Sequence, residues 1–118
     1  MVTTMAIDRN YIEQGWLDGA IRHLDLLYQE SQKYEDEGDI LPTVEGIKSA
    51  KMLMSELTKV AAPRIAVTVN GEVILMWEIN GDDFIARVAT DGSTKFYKDN
   101  IVIEQRMFIK YLGNMAAA

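Results

Sequence analysis

Between Arg64 and Tyr97 the chain carries three Gly-centred turn signals: Asn70-Gly71, Asn80-Gly81 and Asp91-Gly92. Short runs rich in Val, Ile, Phe and Trp lie around them. Asn-Gly or Asp-Gly between such runs is the strongest local signal for a β-hairpin. Four strands are predicted, Arg64–Val69, Glu72–Ile79, Phe84–Thr90 and Ser93–Tyr97. Their connections are too short for a crossover, so neighbouring strands run antiparallel.

The side-chain period of two decides the register. A two-residue loop at Asn70-Gly71 would put Ile65 and Val67 on one face with Glu72 and Glu78. A bulged turn with Gly71 left-handed instead sets Thr68 opposite Glu72, Val67 opposite Val73 and Ile65 opposite Leu75. It gathers the apolar residues, so it is the register predicted. A four-residue loop Asn80–Asp83 sets Ile79 opposite Phe84 and Trp77 opposite Ala86. A bulged turn at Gly92 sets Ala86 opposite Phe96. The inner face then holds Ile65, Val67, Val73, Leu75, Trp77, Ile79, Phe84, Ala86, Val88 and Phe96. The outer face holds Ala66, Ile74, Met76, Ile85, Ala89 and Tyr97, edged by Glu72, Glu78, Arg87 and Lys95. A solvated sheet face is normally more polar. Ile74, Met76, Ile85 and Tyr97 are therefore a candidate contact surface.

Helical spacing precedes the sheet. Ile12, Trp16, Ala20, Leu24, Leu27 and Tyr34 form a stripe that predicts a helix over Tyr11–Asp36, capped by Asn10 with Glu13 three residues on. Gly15 and Gly19 would share one side of it. Gly38 suits its left-handed cap. Thr43 is the next N-cap; Ile47, Ala50, Met54, Leu57 and Ala61 form the second stripe, which Pro63 stops. After the sheet, Asp99-Asn100 makes a turn. Ile101–Ile103 reads as a fifth strand or a helix start, and we take a helix over Val102–Leu112 capped by Gly113-Asn114.

Charge is concentrated. Between Ile12 and Asp39 there are eight acids and two bases, so this segment alone carries −6; the remaining ten acids and ten bases cancel. Such a surface repels phosphate backbones and suits a basic partner. Asp18, Asp25, Glu30, Glu35, Asp36 and Glu37 are the candidate partner-binding residues on and after the first helix. The second helix, with Lys48, Lys51 and Lys59, would complement the first in an antiparallel pair.

The order helix, Pro63, strand, Asn70-Gly71, strand ending in Trp77-Glu78 and a further hairpin resembles a set of small uncharacterised bacterial and phage proteins. In those, a helix and a proline precede a strand, Asp-Gly and a strand closing in Leu-Glu-Trp. Here the corresponding residues are Leu75-Met76-Trp77-Glu78, and the match covers roughly residues 47–97. The resemblance implies a fold and no activity.

Catalytic motifs are not evident. A nucleophile needs a base and an orienting group; the one histidine, His23, lies mid-helix, and there is no cysteine. Asp82-Asp83 is expected in a solvated hairpin loop. Asn80-Gly81 joins two strands, so it is not a phosphate loop. The order of carboxylates from Glu35 to Asp39 does not match a calcium loop. No cofactor, metal or catalytic residue is assigned. Lys95, Lys98, Arg106 and Lys110 are the one basic group, and the net charge argues against direct nucleic-acid binding. No apolar run approaches the roughly 20 residues of a membrane span. Met1–Ile7 lacks the order of a signal peptide, and with no cysteine this predicts a cytoplasmic protein.

The expectation is one α+β domain over residues 1–118, with residues 1–9 and 114–118 frayed. Two N-terminal helices pack on one face of a four-stranded antiparallel meander, and a short C-terminal helix covers an edge. The expected function is non-catalytic protein binding by a small acidic inhibitor or accessory protein of bacterial or phage origin, antitoxin-like, immunity or anti-defence. The alternative is a homodimeric structural protein using the outer sheet face at Met76 and Ile85.

Overall fold

A computed structural model describes residues 15–33 and 38–117, the last few without side-chain detail. The elements are α1 (Leu17–Ser31), α2 (Val44–Glu56), β1 (Arg64–Val67), β2 (Val73–Ile79), β3 (Asp82–Val88), β4 (Thr94–Lys98), β5 (Ile101–Ile103) and α3 (Gln105–Ala117). The five strands form one antiparallel meander in sequence order. The fold is thus α+β, with one strand more than expected.

The first hairpin has the expected register. Val67 faces Val73 and Ile65 faces Leu75. The Thr68 N–H donates to Glu72 O at 2.9 Å and the Gly71 N–H to Thr68 O at 3.0 Å. Gly71 has φ +76°. The third hairpin also agrees, with Ala86 facing Phe96.

The second hairpin differs. Asn80 and Gly81 have φ +54° and +84°, and Ile79 pairs directly with Asp82. Two successive positive φ values make the tight two-residue turn whose twist matches its strands. Asp82 and Asp83 are therefore strand residues rather than loop residues, and Trp77 faces Phe84 rather than Ala86. The slip is two residues, so no side chain changes face.

Asp99 and Asn100 repeat the tight turn, with φ +50° and +69°. This sends Ile101–Ile103 back along β4 as a fifth strand, and the helix begins only at Gln105. Helix α3 runs through Gly113-Asn114 to Ala117, so that pair does not cap it. Nor does α3 merely cover an edge. Phe108 is fully buried, with its ring 5.8 Å from Trp77, 5.8 Å from Phe84 and 4.9 Å from Phe96. These three partners share the inner face, so α3 crosses it.

The other helices lie on that face too. Leu24, Ile47, Ala50, Leu53, Met54 and Leu57 join the inner-face residues in one core cluster. Thr43 caps α2 as expected, accepting from the Gly46 N–H at 3.0 Å and donating to Thr90 O. The helix stops at Glu56, short of Pro63. Two tight turns follow, Leu57 N–H to Met54 O and Val60 N–H to Leu57 O. They aim two carbonyls at indoles: Trp16 Nε1 donates to Val60 O at 2.6 Å and Trp77 Nε1 to Ala61 O at 2.8 Å. Ala61 is consequently exposed rather than part of the stripe.

Trp16 at the start of α1 meets Val60 just past the end of α2, so the two helices are antiparallel. Lys51 and Asp25 join them at 2.8 Å. Gly15 has φ +77° in the turn before α1, so it is not a helix-face partner for Gly19. The expected start at Tyr11 and the Asn10 cap lie outside the described residues, as does the stretch 34–37.

Candidate functional site

Among the described residues two surfaces stand out once the core is closed. The first is a groove beside the C-terminal end of α1. Its walls come from Leu27, Glu30 and Ser31 of α1, from Asp39–Pro42, and from Val67–Val69 at the edge of the sheet. Its volume is about 240 Å³.

Local contacts fix the 39–42 wall. The Ile40 N–H donates to Val69 O at 2.9 Å, so the connection runs beside the exposed edge of β1. Leu41 lies against the first hairpin: a Cβ placed on Gly71 would stand 2.6 Å from Leu41 O. Pro42 is buried, and Thr43 is tied to Thr90. The wall is thus held at four consecutive residues. Ile40 and Val69 nevertheless present 58% and 66% of their surface to solvent. Two exposed aliphatic side chains beside a groove rimmed by Glu30 and Asp39 make an amphipathic, acid-edged surface.

The predicted acidic residues are only partly brought together. Asp18 is exposed in the first turn of α1. Asp25 is spent on Lys51 of α2. Glu30 pairs with Lys33 at 3.1 Å, both exposed, and such a pair contributes little. Glu35, Asp36 and Glu37 lie outside the described residues. The sequence reading placed its candidates on and just after the first helix, with the outer sheet face as the alternative, and did not include Asp39, Ile40 or Val69, which line this groove. The signal available was Ile40-Leu41-Pro42, an apolar tripeptide where a connection between helices would normally be polar.

The second surface is the outer sheet face. Met76, Ile85, Tyr97 and Val102 stand directly opposite one another across β2 to β5. None of them belongs to the core cluster. Ile74, in the neighbouring row, is 9% exposed. Glu72, Arg87, Ala89, Ser93, Lys95 and Tyr97 line a shallow hollow of about 180 Å³ there. Arg87 lies 5.8 Å from the Tyr97 ring centroid and 3.9 Å from Glu72.

Titration is perturbed at two turn carboxylates. A hydrogen bond from the Asp83 backbone N–H, 2.9 Å long, holds Asp99 below the usual carboxylate range, with Lys98 assisting. Asp91 is lowered by hydrogen bonds from the Ser93 hydroxyl and N–H. Both carboxylates are exposed and serve turn geometry. His23 is exposed on α1. Among the described residues no three His, Cys, Asp or Glu side chains group as metal ligands, and no helix is long and apolar enough to cross a membrane.

Compared with known protein families, with curated proteins and with solved structures, the chain gives no match.

Proposed function

We propose that the protein is a non-catalytic binding module of the inhibitor or accessory kind, and that it captures a basic segment of a partner protein in the groove between α1 and the edge of β1. One observation carries this reading: exposed Ile40 and Val69 flank a concavity whose rim holds Glu30 and Asp39. Ligand pockets for cofactors and drug-sized molecules run to about 300–1,000 Å³. A groove of about 240 Å³ is smaller, and suits one bulky apolar side chain of a peptide. The −6 carried between Ile12 and Asp39 would draw in a partner segment rich in Lys or Arg and speed encounter.

The test uses short labelled peptides with a central Leu, Phe or Trp flanked by Lys and Arg, against acid-flanked controls, read by fluorescence anisotropy. Basic peptides should bind, and affinity should fall steeply with salt as exposed charges are screened beyond about 8–10 Å. Ile40→Asp with Val69→Asp should abolish binding, as should Glu30→Lys with Asp39→Lys. Asp25 is left alone because it holds Lys51. Equal binding of acidic and basic peptides, or binding that survives both double substitutions, would overturn the proposal.

A further inference from the structure

The outer sheet face carries its charges in stripes. On β3, Asp83 and Arg87 stand two residues either side of Ile85; on β4, Lys95 stands two residues before Tyr97, and Asp99, in the turn just past the strand, accepts from the Asp83 N–H and lies 3.4 Å from Lys98. Across the strands Arg87 faces Lys95, and Glu78 faces Asp83. The face therefore reads as a basic stripe, an apolar stripe of Met76, Ile85, Tyr97 and Val102 that ends on β1 at the exposed Arg64, and an acidic stripe. Like charges directly opposite on neighbouring strands are destabilising. Among the described residues the basic pair gains the 3.9 Å approach of Glu72 to Arg87 and the Tyr97 ring, 5.8 Å from Arg87.

We propose that two copies of this chain associate through this face, related by a two-fold axis that runs along the apolar stripe. Rotation about that axis exchanges the two ends of each strand. It stacks apolar stripe on apolar stripe and brings Arg87 over the partner copy's Asp83, and Lys95 over the partner copy's Asp99. The basic pair is then matched by opposite charge, while on β2 Glu78 meets the partner copy's Ile74, which stands opposite Arg87. An axis along the strands would set Arg87 on Lys95, base on base, whereas the chosen axis leaves that only at Arg64, on the β1 end of the stripe. The interface is self-complementary, as a two-fold contact requires. Packed sheets lie about 10 Å apart, and the acidic helix α1, packed on the inner face, points away from the contact. The stripe crosses four strands and the charged residues span five positions, a patch about 14 Å by 13 Å between backbone centres. That is at the small end for an interface, so the dimer is a weak, exchanging one.

Sedimentation equilibrium of the full chain over a wide concentration range tests this. Wild type should show a reversible monomer–dimer equilibrium that weakens with added salt. Arg87→Asp alone and Asp83→Arg alone should each weaken it tenfold or more. The combined swap, Asp83→Arg with Arg87→Asp, should recover it to within a few-fold, because complementarity under the two-fold axis is restored. Met76→Glu should give a monomer. The charge variants sit at exposed positions, so circular dichroism should report an unchanged fold even where Met76→Glu disturbs it. A chain that stays monomeric to about 1 mM, or a dimer that the combined swap fails to rescue, would overturn the proposal.

Discussion

Gly71→Ala and Gly81→Ala form a matched pair that measures how tightly the 39–42 connection sits on the sheet. Both glycines close a hairpin, with φ +76° and +84°. A left-handed residue with a Cβ costs about 1–2 kcal/mol. At Gly81 nothing lies within 4 Å of an added Cβ, so Gly81→Ala should show that figure alone. At Gly71 the Cβ would meet Leu41 O at 2.6 Å, Leu41 C at 2.9 Å and Thr90 Cγ2 at 2.9 Å. Two of these are backbone atoms and cannot turn aside. Overpacking of this kind adds about 1–3 kcal/mol, so Gly71→Ala should lose about 2–5 kcal/mol in total. Urea unfolding reads the difference. With a slope near 2 kcal/mol/M, the midpoints of the two variants should differ by about 0.5–1.5 M. Melting temperatures should separate by roughly 4 °C per kcal/mol. If the two variants melt together, Leu41 does not rest on the first hairpin and the groove loses its wall. Peptide binding gives a second readout: Gly71→Ala should weaken it and Gly81→Ala should not.

Three further outcomes are expected. Trp77→Ala and Phe108→Ala should each lose about 3–5 kcal/mol by equilibrium unfolding. Their rings meet at 5.8 Å, so the double variant should lose less than the sum of the two, and strict additivity would remove α3 from the inner face. Asp99 should titrate below the ordinary carboxylate range in a carboxyl-carbon NMR titration. Its pKa is lowered in the folded chain, so its contribution is present above the unfolded pKa and is lost as pH falls through the folded value. Asp99→Asn should flatten that acid limb of the stability curve, and an unchanged limb would dissociate the carboxylate from the turn.

The sheet was legible because its turns and its alternation agree. Gly71 and Gly92 each needed a left-handed residue to bring the apolar residues to one side, and both registers follow. The end of α2 was less legible. Leu57, Val60 and Ala61 continue a helical pattern, but the indoles of Trp16 and Trp77 claim the carbonyls of Val60 and Ala61, and this tertiary demand ends the helix early. Ile101–Ile103 was open to either reading for the same reason. A three-residue β-branched run has no period of its own, and the paired positive φ values of Asp99 and Asn100 decide it. The groove was hidden more deeply. Ile40 and Val69 are 29 positions apart in sequence, and only the Ile40 N–H to Val69 O bond puts them side by side.

The second hairpin shows why the charge stripes could not be read in advance. Asp82 and Asp83 are poor strand residues by composition, which favoured leaving them in the loop. Pairing Ile79 with Phe84 kept every residue on its observed face, yet it moved each partner along by two. Met76 would then stand beside Arg87, and Glu78 beside Ile85, so charge and apolar surface would alternate across the strands. In the observed register Met76 stands beside Ile85, and Glu78 beside Asp83. Face membership depends on the parity of the register, and neighbourhood depends on its value. An even slip keeps every core residue on the right face but changes which of them meet, and it breaks a surface that works by matching stripes, because that surface needs the right neighbours.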